Sequence, residues 1–200
     1  MRLVCLSDTH TLHERVEVPD GDVLIHAGDF CGRGDTFEAF TFAQWFLGQP
    51  HRHKVVVAGN HDVCLEKDSS LGRKLFGGAY LFESGVEIEG LKFWGAPWQP
   101  EFYDWAFNLP RGPRLREKWA KIPVGVDVLI THGPPHGVLD RVGDRLTGCE
   151  ELKKALVRVK PKLHIFGHIH EGYGREGGSV NASICTAAYR PTNSPIVEDL

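Results

Sequence analysis

The amino-acid sequence predicts an α/β layered fold. Short runs rich in Val, Ile and Leu recur along the chain, each closing in a polar or glycine-rich turn, and segments of helical period lie between them. The runs do not alternate cleanly between apolar and polar residues, which is the pattern of strands buried on both faces in a parallel or mixed sheet.

Taken in order, the strand-like runs are LVCLSDTH from Leu3, DVLIHAGD from Asp22, KVVVAGNHD from Lys54, VDVLITHGPP from Val126 and KLHIFGHIH from Lys162. Between the second and third, Phe37, Phe40, Ala43, Phe46 and Leu47 fall on one helical face, which predicts a helix packed through those residues. Before the last run's partner, Leu152, Ala155, Leu156 and Val159 repeat at i, i+3, i+4 and i+7, with Thr147 and Glu150 prefacing them as a capping box. LKFWGAP from Leu91 and SVNASICTA near the C-terminus predict a second, partly antiparallel sheet packed on the first. The longest irregular stretch, Pro97 to Arg114, is too aromatic for a linker and reads mostly as closure of the core, or as a wall on which a base stacks. With 200 residues, 42% of them hydrophobic, a single domain over residues 1–200 is expected.

Charge and composition exclude several classes. A net charge of -3 argues against a nucleic-acid coat or a membrane-surface protein, so long nucleic acid and membrane are not expected partners, and nothing points to a protein partner. The N-terminus enters a strand without a secretory leader, no run is long enough to span a bilayer, and the five cysteines are odd in number and lack a C-x-x-C pair; a cytoplasmic, thiol-reduced protein is expected. The sequon at Asn181 is coincidence in that setting.

The polar residues fall in one kind of place. Asp8 and His10 follow the first run, Asp29 the second, Asn60, His61 and Asp62 the third, His132 another, and His168 and His170 the last. In open α/β sheets the loops beyond the carboxyl ends of strands gather into the site. Imidazoles with carboxylate and amide oxygens and no thiolate suit Mn, Fe or Zn. Seven such groups, Asp8, His10, Asp29, Asn60, His132, His168 and His170, are too many for one ion but suffice for two bridged by one carboxylate, the arrangement that clamps both oxygens of a phosphoryl displacement. Two divalent cations against two aspartates leave a local positive excess that draws an anionic phosphate to an acidic protein.

Each residue alone has an ordinary structural reading: Asp8 and Asp62 as turn residues or helix caps, Asn60 as a loop donor, His132 as a hydrogen-bonded core histidine. Their joint order carries the metal reading. His26 and His164 read as buried strand residues and His51 and His53 as solvated loop residues, while His13 and His136 stand close enough to ligand-bearing turns for substrate contact to remain open. Cys31 and Cys64 read as small buried thiols. Arg111 and Arg114 are either phosphate-reaching groups or surface charge.

The blocks Asp8-Thr9-His10, Gly28-Asp29, Gly59-Asn60-His61-Asp62, His132 within THGPP and Gly167-His168-Ile169-His170 resemble the signature of the calcineurin-like metallophosphoesterases, in order and almost end to end. HAGDF, PWQPEFYDWAFNLPRG, GHIHEGYG and NASICTAAYRPTNSPI are further similar to the subgroup of metallophosphoesterase domain-containing proteins. The resemblance implies a four-layer α/β/β/α sandwich with two mixed sheets flanked by helices. It implies that Asp8, His10, Asp29 and His170 hold one divalent ion and Asp29, Asn60, His132 and His168 the other, with manganese the first expectation and iron, zinc, nickel or cobalt the alternatives. His61 would protonate the departing oxygen, with Asp62 orienting it, and a metal-bridging hydroxide would attack phosphorus. Within each D-x-H or H-x-H block the two ligands would project to one side of an extended chain, the spacer Ile169 pointing into the core. The implied activity is hydrolysis of small or nucleotide-like phosphodiesters, cyclic nucleotides among them. A phosphomonoesterase or phosphoprotein phosphatase is the rival enzyme, and a nucleotide-binding scaffold with little turnover the rival outside enzymology.

Overall fold

The computed structural model describes residues 1–200. Its first half contains β1 (Arg2–Leu6), β2 (Val23–His26), α1 (Thr36–Gly48), β3 (His53–Val56), α2 (Val63–Lys67), α3 (Leu71–Phe76), β4 (Ser84–Ile88), β5 (Leu91–Ala96) and β6 (Gln99–Pro100). Its second half contains β7 (Asn108–Leu109), α4 (Pro113–Ala120), β8 (Val128–Thr131), β9 (Arg141–Val142), β10 (Arg145–Leu146), α5 (Glu150–Val159), β11 (Leu163–Phe166), β12 (Gly174–Glu176), β13 (Ser179–Asn181) and β14 (Ile196–Asp199).

Two mixed sheets form the centre. One has the order β14-β1-β2-β3, with β1, β2 and β3 parallel and β14 antiparallel to β1. The other has the order β12-β13-β11-β8-β5-β4, parallel through its middle four strands, with antiparallel strands at both edges. Because strand side chains alternate, each sheet buries two apolar faces. Leu3, Cys5, Ile25 and Val55 meet Phe93, Val128, Ile130 and Ile165 between the sheets. Val4, Leu6, Leu24 and Val56 face outward onto α1 and α3. Trp94 and Leu129 face outward onto α4 and α5 through Leu115, Trp119 and Leu152. The result is the four-layer α/β/β/α sandwich.

Helix α1 occupies the expected segment but buries a different face. Asp35 caps it, accepting from the Glu38 amide at 2.9 Å. The residues packed inward are Ala39, Phe42, Ala43 and Phe46, whereas Phe37, Phe40 and Leu47 are exposed. Apolar residues lie around much of this helix, so periodicity does not choose its face; the aromatic neighbours do. Phe42 stacks on Phe30 at 4.5 Å between centroids and 5° between planes, and Phe76 closes on both. Each fully buried phenylalanine contributes roughly 1.5–3 kcal/mol.

The α5 cap also differs from the expected box. Cys149 is the N-cap, its Sγ accepting from the Leu152 amide, while the Thr147 hydroxyl bonds the Asp140 carbonyl instead. The helix ends on left-handed Lys160, just before Pro161, which cannot continue it. The aromatic stretch is less irregular than expected: β6 and β7 pair within it, and Pro113 opens α4 at its end.

Candidate metal centre

The parallel strands β1, β2, β3, β8 and β11 bring their carboxyl ends to one edge of the sandwich, where backbone bonds lace the turns together. The Asp8 amide donates to the Gly28 carbonyl at 2.9 Å, the His10 amide to Asp29 at 3.0 Å, and the Gly167 amide to His132 at 2.9 Å. The turns are not extended, as the D-x-H and H-x-H spacing had suggested: Asp8, His10, Asp29 and His168 have φ of 53°, 42°, 58° and 67°. Such left-handed backbone costs of order 1–3 kcal/mol per non-glycine residue and clusters where function requires it. It turns each side chain sharply back toward the centre. Ile169, expected to point into the core, is buried at 8% exposed but lines the same cavity as His168 and His170. Two glycines allow the crowding. A Cβ on Gly167 would lie 2.0 Å from an Asp8 carboxylate oxygen, and one on Gly28, itself at φ +101°, would lie 2.7 Å from the His132 ring.

All seven expected ligands converge. Asp8, His10 and His170 form one group of potential ligand atoms, and Asp29, His132 and His168 another. Asn60 Oδ1 lies 2.9 Å from His132 Nε2 and so joins the second. Asp29 stands between the groups and addresses each with a different oxygen: Oδ2 is 4.0 Å from His10 Nε2, and Oδ1 is 3.4 Å from His132 Nε2. Three imidazoles are oriented alike, with Nδ1 against a backbone carbonyl: His10 on Cys31 at 3.2 Å, His132 on Ala27 at 2.9 Å, His170 on Thr186 at 3.0 Å. A carbonyl only accepts, so each neutral ring carries its proton at Nδ1 and turns a bare Nε2 lone pair inward. The Nε2 atoms of His10 and His170 are 3.2 Å apart. Two neutral rings so placed repel unless a proton or a metal cation lies between them, and the donor set as a whole, imidazole nitrogens with carboxylate and amide oxygens, fits divalent metal ions.

The electrostatics agree. Burial would raise the Asp8 carboxyl, but the hydrogen bond and charge of His170 outweigh it and hold Asp8 well below the usual range. His132 does the same for Asp29. Burial opposes charge on His132 and His170, yet the neighbouring aspartates lift both to about 9, whereas burial, aided by His132, brings His168 down to about 3. Two buried carboxylates thus draw positive charge to this edge.

His61 lines the cavity beside these groups. Its amide donates to Asp29 Oδ1 at 2.7 Å and its Nδ1 meets the Gly32 carbonyl at 2.7 Å. Asp62 does not orient it, contrary to expectation. The Asp62 carboxylate accepts instead from the amides of Asp29 and Cys31 at 2.9 Å and of Gly59 at 2.7 Å, tying the β2 and β3 loops together. Burial and the charge of Asp29 push its carboxyl up to about 7, against the pull of those amides.

The remaining candidates separate. His13 is buried against Phe42 and Trp45, and His136 is not among the residues lining the cavity. His26 and His164 are buried strand residues bonded to the hydroxyls of Thr9 and Thr131. His51, expected in solvent, is buried with Nε2 on the Pro19 carbonyl, against the loop of residues 19–21 that leads into β2. Cys31 and Cys64 are buried thiols. Arg111 reaches the cavity but is committed to Glu150 and to the Thr147 and Gly148 carbonyls, and Arg114 is exposed.

The centre opens into a cavity of about 530 Å³ whose rim includes Phe102, Val142, Arg145 and Tyr189. Tyr189, missed in the sequence, lies with its ring 4.8 Å from His10 and 5.4 Å from His170. Its only distinguishing mark is a φ of 55°, which no composition or period reveals. The aromatic stretch divides: Phe107 is in the core, Phe102 is exposed at the rim with Tyr103 against it on the solvent side, and Trp105 lies against His61.

Residues 1–172 match the family model described as Calcineurin-like phosphoesterase. The chain is 44% identical to Metallophosphoesterase domain-containing protein 1 of Homo sapiens, over all of this chain and 71% of that protein. It is 38% identical to a UPF0046 protein of Caenorhabditis elegans, over 98% of this chain and 74% of that one. Among solved structures, TT1561 of Thermus thermophilus is similar with a TM-score of 0.61 at 15% identity, covering 90% of this chain and 88% of that one, a likeness of fold.

Proposed function

Because the chain belongs to the calcineurin-like phosphoesterases, which hydrolyse phosphoesters with divalent metal ions, we propose that it is a phosphodiesterase for small or nucleotide-like diesters. The observation that carries this reading is the pair of inward-facing Nε2 atoms of His10 and His170, 3.2 Å apart, beside a carboxylate, Asp29, that addresses two groups of donors. Asp8, His10, Asp29 and His170 would hold one cation and Asp29, Asn60, His132 and His168 the other. Bound there, two cations supply an activated water and neutralise charge developing on the phosphoryl oxygens.

The chain's own groups do the rest. His61, with Nδ1–H fixed on the Gly32 carbonyl, would give the departing oxygen a proton from Nε2 when the ring is in its doubly protonated, imidazolium form. The Asp62 carboxylate keeps the Asp29 and His61 loops in register through its three amide bonds. At the rim, Phe102, Val142, Pro100 and Pro134 offer apolar surface for the second organic group that a diester carries and a monoester lacks. Of the two arginines at this cavity, the Arg111 fork is already bonded, which leaves Arg145 on the β9–β10 ribbon as the cation nearest a phosphoryl oxygen.

The test is turnover of matched aryl phosphodiesters and phosphomonoesters, and of cyclic nucleotides, by protein loaded with Mn²⁺, with chelator as control. The reading expects faster diester hydrolysis that chelator abolishes. Preference for the monoester would make it a phosphomonoesterase, and tight nucleotide binding without turnover would make it a scaffold.

A further inference from the structure

His61 has a companion that the cavity itself does not show. The Trp105 indole lies face to face with the His61 imidazole, centroids 4.1 Å apart and planes within 24°. Trp105 does not line the cavity; it stands behind the ring that does. On another side, His10 meets His61 edge to face at 4.6 Å.

Trp105 is itself held by the neighbours of His61. The Ala106 amide donates to the Asn60 carbonyl at 3.2 Å, and the Phe107 amide to Glu66 Oε1 at 2.7 Å. Ala106 and Phe107 are buried, so the indole is anchored on its C-terminal side while remaining half-buried itself. The backbone that sets His61 and the backbone that sets Trp105 are therefore joined one residue from each side chain. A histidine ring has a soft χ2 torsion, and one hydrogen bond at Nδ1 fixes a point without fixing the plane. A flat, anchored indole fixes the plane.

We propose that Trp105 is a positioning residue for proton delivery: its face holds the His61 ring so that Nε2 stays aimed into the cavity at the leaving oxygen. The inference rests on the reading of His61 as proton donor. In the step concerned, the bond between phosphorus and the leaving oxygen breaks, that oxygen takes the electron pair, and the Nε2 proton of the His61 imidazolium passes to it, leaving the neutral ring with its remaining proton on Nδ1 against the Gly32 carbonyl. A leaving group that is already a stable anion needs no proton, so loss of aim is felt only by poor leaving groups.

The experiment compares Mn²⁺-loaded wild type, Trp105→Phe, Trp105→Leu, His61→Ala and the double variant His61→Ala/Trp105→Leu on a nitrophenyl and an alkyl phosphodiester. Metal content is measured by elemental analysis, and the His61 ring orientation by crystallography of Trp105→Leu. General acid catalysis is typically worth 10²–10⁴-fold, so His61→Ala should lose about 10²-fold on the alkyl diester and far less on the nitrophenyl one. Misplacement by about 1 Å costs up to 10²-fold, so Trp105→Leu should lose about 10-fold in kcat on the alkyl diester with KM and metal content unmoved, while Trp105→Phe keeps most of its rate. The double variant should be no slower than His61→Ala alone, and the His61 ring should be turned in Trp105→Leu. Equal losses on both diesters, additive losses in the double variant, or Trp105→Leu as fast as Trp105→Phe would overturn the role of Trp105 while leaving that of His61 standing. A His61→Ala enzyme indifferent to leaving group would overturn both.

Discussion

The floor of the cavity and its rim are built on opposite terms. Asp8, Asp29, Asn60 and His132 are at most 2% exposed, and each side chain has partners from distant parts of the sequence. Phe102 and Tyr189 are 48% and 50% exposed, and Arg145, on the short β9–β10 ribbon, is exposed as well. The floor spends strain, in left-handed aspartates and histidines, to fix donors in place. The rim is more exposed and touches the floor at few points, Tyr189 edge-on to His10 and His170 and Phe102 edge-on to His168. The difference teaches that the buried donor centre and the exposed surface around it are built by separate parts of the chain, and that substitutions in the two regions should fail in different ways.

The largest effect is expected at the floor. Asp29→Ala removes the one carboxylate that addresses both donor groups, so both metals should be lost. Removing a group that merely orients a ligand typically costs 10–100-fold in metal affinity, so this variant should exceed about a hundredfold, checked by metal titration calorimetry. Asp62→Ala should fail by stability first. Three buried amides lose their acceptor, at about 1–3 kcal/mol for each unsatisfied group, so unfolding should come about 10 °C lower at roughly 2–4 °C per kcal/mol for a chain of this size. Asp62→Asn, which keeps one carbonyl, should recover part of that loss in a thermal melt.

At the rim, Phe102→Ala should leave metal content unchanged and raise KM for an aryl diester about fivefold, the equivalent of roughly 1 kcal/mol of lost apolar contact. A Phe102→Ala protein that loses metal would break the separation of floor from rim. The smallest effect belongs to neither region. Glu151 is held to about 2 by Arg116 and then Lys154. A depressed carboxyl stabilises the fold above its unfolded value of about 4.3, and that contribution is lost as pH falls from there through about 2. Both partners are mostly exposed, which limits the pair to about 0.5–1 kcal/mol. Glu151→Gln should therefore melt about 2 °C lower at pH 7, with the difference closing in acid and activity unaffected.

Much of the floor was legible in the sequence because its residues sit at strand ends, and parallel strands with short apolar runs must deliver their carboxyl ends to a common edge. The β1, β2, β3, β8 and β11 runs carried that information directly. What was illegible depended on tertiary choice. Helix α1 is apolar on more than one side, and the aromatic neighbours contributed by other elements, Phe30, Phe76 and His26, decide that Phe42 and Phe46 go in while Phe37 stays out. Strand β14 returns from the far end of the chain to pair with β1, and no local pattern encodes that pairing. Helix α4 buries only Leu115 and Trp119 along its length, too sparse a stripe to read. Asp62 was recognised as a site residue, but its three amide partners lie in loops whose approach no spacing foretells. Tyr189 and Trp105 join the site through turns, where side-chain direction follows from backbone angles rather than from residue type.

The central claim is that one carboxylate joins two donor groups into a two-cation centre. Anomalous diffraction from crystals soaked in manganese measures it directly. The account expects two peaks about 3.5–4 Å apart, with Asp29 in contact with both and the His10 and His170 Nε2 atoms against the same ion. A single peak, or two peaks of which Asp29 touches only one, would contradict it.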